Sequence, residues 1–151
     1  GCARDVTTAI QTGRVVAVLD GDTVVVEGVG TVRYVGIDTP ELHHPRRPVE
    51  RFAARATTIN RRLVLGRTVR LETDVEPRDA YGRLLAYVYV GEVMVNAEMV
   101  RRGAAEQYPF PPNTRHRAMF ARLEARAMRE GRGQWGPAEG GPPWGRADRP
   151  E

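Results

Sequence analysis

At 151 residues the chain has material for one ordinary domain with its own core and too little for two. Hydrophobic residues make up 41% and charged residues 28%, which excludes a wholly disordered chain, and no apolar run approaches the roughly 20 residues of a membrane-spanning helix. The formal charge is +4 and all 23 basic residues are arginine, whose planar fork grips phosphate oxygens in pairs. Genomic bias or thermal adaptation accounts for the missing lysine equally well, so charge alone identifies no ligand.

Residues 1–12 read as an N-terminal extension. The single cysteine, Cys2, excludes an internal disulfide and a cysteine-based zinc site. No signal peptide is visible. A cysteine beside the start fits a lipid anchor left by lipoprotein processing, and Gly1 fits a cloning remnant equally well. From Gly13 to Val26, two valine-rich strands flank a tight turn at Asp20–Asp22, and Gly28-Val29-Gly30 turns the chain into a third strand, Thr31 to Ile37. Pro40 stops that strand near Asp38. Val49, Phe52, Ala53, Ala56, Ile59 and Leu63 have helical spacing, with Gly66 placed as the stop. Val69 to Val75 alternates as a strand, Pro77–Gly82 turns, and Leu84 to Val90 forms the fifth strand, with Val93-Met94-Val95 as a short return. Asn96 is placed to cap a short helix ending at Gly103. Asn113 or Thr114 is placed to cap a longer one with an apolar stripe of Met119, Leu123 and Ala127. Beyond Trp135 periodicity vanishes, which predicts a flexible tail over 137–151 and a single domain over 13–136.

The order β-β-β-α-β-β-α-α predicts an α+β fold, a five-stranded OB-fold β-barrel with three helices. A doubly wound nucleotide-binding sheet is disfavoured, because the alternating βαβ pattern and the glycine-rich phosphate loop are both missing.

Two short runs carry the chemistry: Asp20-Gly21-Asp22-Thr23, and Arg33 through Asp38-Thr39-Pro40-Glu41. Asp22 and Asp38 sit at strand ends, where carboxylates from separate elements converge on one hard cation without a sharp backbone fold. Calcium, with six to eight oxygen ligands in flexible geometry, suits them together with the Thr39 carbonyl and water. Each aspartate alone is an ordinary turn former, and Asp20-Gly21-Asp22 by itself reads as a hairpin turn. Glu41, three residues past Asp38, is the candidate general base for an attacking water. Arg33 and Arg83 can stabilise charge on a phosphodiester. One geometric difficulty stands: Arg33 and Asp38 are five positions apart, so in a regular strand they face opposite ways, and a bend at Gly36 is needed to reunite them. His43 and His44 are disfavoured as ligands beside so many hard oxygens.

These three motifs, Asp20–Thr23, Arg33 through Glu41, and Asp79-Ala80-Tyr81-Gly82-Arg83, resemble those of the staphylococcal nuclease family. The likeness extends from Gly13 to Trp135 and takes in His44-Pro45, Leu85-Ala86-Tyr87 and Val95-Asn96. It implies an OB-fold nuclease that needs calcium and hydrolyses DNA and RNA with weak sequence preference to products ending in 3′-phosphates. It further implies that Asp22, Asp38 and Thr39 hold the metal, that Glu41 is the base, and that Arg33 and Arg83 hold the scissile phosphate. Ala80 departs from the family's usual basic residue, and the later aromatic pair appears as Tyr108 and Phe110. With Tyr81, and with Arg47 steering the backbone, these are the expected substrate contacts. The substrate expected is single-stranded or frayed nucleic acid, and the protein is expected to be a monomer. Export, either secreted or to the bacterial cell envelope, fits abundant extracellular calcium. The rival reading is a non-catalytic barrel that binds nucleic acid or protein.

Overall fold

The computed structural model describes residues 9–42 and 51–137; Cys2, His43, His44, Arg47 and the end of the expected tail lie outside them. β1 (Ile10–Asp20) is long enough to serve two neighbours. Its first half, Ile10 to Arg14, pairs antiparallel with β5 (Thr68–Glu72), and its second half, Val15 to Asp20, pairs antiparallel with β2 (Thr23–Val26). Two register shifts, between Val15 and Ala17 and between Val18 and Asp20, bend the strand so that one ribbon turns a barrel corner. β3 (Gly30–Tyr34) runs antiparallel to β2 and parallel to β6 (Leu84–Val90), which in turn is antiparallel to β5. The circuit β1-β2-β3-β6-β5 therefore closes into the five-stranded barrel that the sequence order implied.

Period-two alternation explains the core. Val24, Val26, Val32, Tyr34, Val69 and Leu71 are all buried, while Val25, Thr31, Arg33, Thr68, Arg70 and Glu72 between or beside them are less so. β7 (Val93–Met94) extends the edge of β6, and β4 (Ile37–Asp38) pairs with β8 (Glu106–Gln107) outside the barrel, with Asp38 opposite Glu106. β1 starts at Ile10, inside the stretch read as an extension, because Ile10 to Thr12 find partners in Arg70 to Glu72.

Three helices pack on this frame: α1 (Ala53–Val64), α2 (Val95–Arg101) and α3 (Arg117–Glu130). The buried face of α1 is Ala53, Ala56, Thr57, Asn60 and Val64, which is rotated from the expected stripe so that Ile59 and Leu63 are only partly covered. Two of the expected caps do different work. Asn96 is fully buried inside α2, where its amide accepts from the Val88 N–H (2.8 Å) and donates to the carbonyls of Val35 (3.0 Å) and Ala86 (3.2 Å). Those main-chain groups meet where β3 leaves β6, out of reach of water, so the amide is needed there rather than at a helix end. Asn113 lies four residues before α3. It accepts from the Glu76 N–H (2.8 Å) and donates to the Glu76 carbonyl (2.9 Å), stitching the loop before β6 to the loop before α3. His116 occupies the N-cap position of α3, with no side-chain cap bond.

Candidate active site

The β1–β2 turn delivers the first acids. Gly21 is required at its apex, since a Cβ there would lie 2.8 Å from the Thr39 hydroxyl and 3.0 Å from the Ala56 Cβ. That contact presses the turn at once against the β4 exit and the N-terminal half of α1. Asp22 is buried; its Oδ1 accepts from the Thr23 hydroxyl (3.0 Å) and its Oδ2 from the Thr39 N–H (3.0 Å). Asp20 accepts from the Asp22 N–H (3.0 Å), and its own carbonyl is held by the Asn60 amide (2.9 Å), which also accepts from the Tyr34 hydroxyl (2.6 Å).

β3 delivers Arg33 on the face opposite the buried Val32 and Tyr34. The chain then turns at Gly36, where φ is +88° and an added Cβ would stand 2.6 Å from the Phe120 ring, so glycine is demanded both by conformation and by space. This is the bend that reunites Arg33 with Asp38. The guanidinium Nη1 donates to the carbonyls of Tyr34 (2.6 Å) and Ile37 (2.9 Å) and lies 3.4 Å from Asp22 Oδ2; Nη2 donates to Asp38 Oδ1 at 3.3 Å. One arginine thus ties together both ends of its own turn and bridges the two aspartates.

The site holds more negative charge than Arg33 offsets. Burial first, then the Asp22 carboxylate, push Asp20 up from 3.8 to about 7. Burial and Asp22 likewise push Asp38 up to about 6, with Glu41 and Glu106 adding to the effect against the pull of Arg33. Glu41 is half-buried and close enough to Asp38 to act on its ionisation. Such crowding of carboxylates is relieved by a cation, and the donors present are all hard oxygens, which fits calcium or magnesium better than zinc. Among the described residues no three acidic, histidine or cysteine side chains enclose an ion by themselves, so Asp22 and Asp38 would hold one with main-chain oxygen and water completing its shell.

Arg83 approaches from the start of β6. The preceding turn is built by Asp79, whose Oδ1 accepts from the N–H groups of Tyr81 and Arg83 (both 2.9 Å) and whose Oδ2 accepts from Arg83 Nε (2.7 Å). Burial raises the Asp79 carboxyl, but these bonds outweigh it and hold the group below its usual range. With Nε engaged, the two terminal nitrogens of Arg83 remain for another oxygen. Arg33 and Arg83 line one open cleft of about 320 Å³ with Tyr81, Tyr108 and Phe110. Tyr81 is 86% exposed and Tyr108 51% exposed, so flat aromatic faces stand bare at the mouth.

The structure therefore gathers Asp22, Asp38, Thr39 and Arg33 at one point, with Glu41 beside Asp38, and places Arg83, Tyr81, Tyr108 and Phe110 around the adjoining cleft with Arg33. Arg47 lies outside the described residues. Sequence reasoning treated Asp20 as a turn former and passed over Asn60 and Glu106. Asp20 was findable as the second acid of a turn already suspected; nothing in the sequence marks Asn60 or Glu106, which join the site only through α1 packing and the β4–β8 pairing.

A family model described as staphylococcal nuclease homologue matches residues 31–137. The thermonuclease of Staphylococcus intermedius is 36% identical over 121 residues, covering 78% of this chain and 72% of that protein. The thermonuclease of Staphylococcus hyicus is 34% identical over 128 residues, covering 83% and 76%. Endonuclease YncB of Bacillus subtilis is 38% identical over 122 residues, covering 78% of this chain and 58% of that protein.

Proposed function

The chain belongs to the staphylococcal nuclease family, and from that premise we propose that it is a calcium-dependent nuclease cleaving DNA and RNA to 3′-phosphate ends. The observation that carries this reading is the cluster of Asp20, Asp22 and Asp38, two of them pushed up in pKa, set beside two arginines that share one cleft. Bound by Asp22, Asp38 and the Thr39 carbonyl, calcium would neutralise charge on the phosphoryl oxygens. Glu41 takes a proton from the attacking water as the new P–O bond forms. Arg33 and the terminal nitrogens of Arg83 donate to the equatorial oxygens, where negative charge grows as the ester is displaced. The bond to the 5′-oxygen breaks, that oxygen takes a proton from solvent, and the phosphate stays on the 3′ side. Because the cleft is open and its aromatic faces accept any base, the fitting substrate is a single or frayed strand read with weak sequence preference. We place its work outside the cytoplasm, as a monomer, where calcium is plentiful.

The test is digestion of DNA and RNA with calcium or with chelator, for the native chain and Glu41→Gln. The expected outcome is calcium-dependent cleavage to 3′-phosphate ends, reduced about a hundredfold or more by the substitution. Polymer left intact by the native chain with calcium, or equal rates for both proteins, would overturn it.

A further inference from the structure

From Arg51 to Leu71 the chain carries six arginines and no carboxylate. The fold adds a seventh. The Gly66 N–H donates to the Val15 carbonyl and the Val15 N–H to the Arg67 carbonyl (both 2.9 Å), so the end of α1 and the start of β5 lie against the middle of β1. Arg14 pairs across from Thr68, and its Nε reaches the Gly66 carbonyl at 3.4 Å. Arg14, Arg61, Arg62 and Arg67 are thereby brought to one end of the barrel, all exposed, and none makes an ion pair among the described residues.

Several arginines elsewhere are paired, whereas Arg117, Arg122 and Arg129 are exposed on α3 without an ion pair among the described residues but belong to that one helix. Glu98 holds Arg101 and Arg102, Glu130 holds Arg126 and Arg132, and Glu72 holds Arg70. Glu27, whose N–H donates to the Arg14 carbonyl, is the acid that backbone pairing brings beside the four, and it forms no ion pair with them. Two basic residues in the last turn of α1 suit the helix dipole. That accounts for Arg61 and Arg62, not for Arg14 and Arg67, which come from other elements.

The cluster is also continuous with the acidic loops. Ala56 of α1 abuts Gly21, and Asn60, next to Arg61, holds the Asp20 carbonyl. From Ala56 to Val64 the helix rises about 12 Å, so a strand bound at the acidic loops reaches the end of α1 within a few nucleotides. Leu65 and Val16 are the exposed large apolar residues nearby, with no aromatic side chain to enter a headgroup layer, which favours a strand over a bilayer.

We propose that Arg14, Arg61, Arg62 and Arg67 form an outer track that holds the phosphates of a nucleic-acid strand running past the active site. This rests on the nuclease reading and deepens it: long polymers gain affinity that short fragments lack, with no base preference, since guanidinium groups on phosphates read only charge.

The test measures binding in chelator, without turnover, so it stands apart from whether the chain cleaves. Arg61→Gln/Arg62→Gln/Arg67→Gln is compared with the native chain by fluorescence anisotropy on a single-stranded DNA of about 30 nucleotides and on one of about four, across a salt series. Losing three phosphate contacts lowers the salt slope for the longer strand by about 2, and its Kd at low salt rises about tenfold. Binding of the short strand shifts less than twofold. A control, Arg117→Gln/Arg122→Gln/Arg129→Gln, removes equal charge from exposed positions on α3. The proposal is overturned if the first variant keeps native affinity and slope, or if the control loses as much, because the effect is then diffuse charge. Sedimentation of the native chain with phosphatidylserine vesicles, abolished by the first variant while strand binding stays intact, overturns it in favour of a membrane surface. Thermal unfolding of both variants verifies that they are folded.

Discussion

Asp20→Asn in calcium-free buffer tests the electrostatic account of the site. Burial and the Asp22 carboxylate raise the Asp20 carboxyl from 3.8 to about 7. Between those values the folded protein binds a proton that the unfolded chain has already released, so folding stability falls as pH rises from about 4 to about 7 and stays reduced above it. Taken whole, the shift is worth about 4 kcal/mol; solvent screens a carboxylate that is only half-buried, which leaves roughly 2 kcal/mol. Asparagine keeps an oxygen to accept the Asp22 N–H and carries no charge. The substitution should be neutral near pH 4 and stabilising by roughly 2 kcal/mol at pH 8, or about 1 M in urea midpoint at this chain size. Urea titrations in chelator at pH 4, 6 and 8 read it directly. A gain that is the same at all three pH values, or a loss at pH 8, would refute the reasoning, because neither follows from relieving a titrating charge.

Gly36→Ala should cost about 3 kcal/mol, combining a left-handed backbone with a Cβ set 2.6 Å from the Phe120 ring. Thermal unfolding measures it, and a change within 0.5 kcal/mol, judged negligible for a core site, contradicts the required bend. Asn96→Ala leaves two buried main-chain groups, the Val88 N–H and the Val35 carbonyl, without partners, while the Ala86 carbonyl keeps the Val35 N–H, and should cost about 3 kcal/mol in chemical denaturation; a shift of the size usual at a surface site would show that water replaces the amide. Hydrogen bonding from Arg101, opposed by burial and reinforced by Arg102, lowers Glu98 from 4.5 to about 2. The stability it contributes is fully present above 4.5 and is lost as pH falls through 2, so Glu98→Gln should flatten the acid limb of the stability profile in that window and leave its slope unchanged above pH 5. Parallel acid limbs for the two proteins would count against the pair.

Local patterns determined the strands and the order of the elements, because side-chain alternation and glycine or proline stops act within a few residues. Leu84 to Val90 became a strand over the residues expected, while β1 begins at Ile10, ahead of Gly13, β3 stops at Tyr34, short of Ile37, and β5 stops at Glu72, short of Val75. The motif residues were legible for the same reason: Asp22, Arg33, Asp38 and Glu41 fall in two short runs. What tertiary structure alone decided is how those runs meet. The positive φ at Gly36 brings the Arg33 fork back to Asp38, the missing side chain at Gly21 lets the Asp20 turn press on Thr39 and Ala56, and the β4–β8 register sets Glu106 against Asp38. Asn96 and Asn113 look in sequence like helix caps, since capping is a local habit of asparagine. Their actual partners, the buried backbone of Val35 and Ala86 for one and the partly covered backbone of Glu76 for the other, are distant in sequence or held in another loop. A polar side chain goes where an unsatisfied main-chain group is sealed from water, and only the closed barrel determines where those groups are.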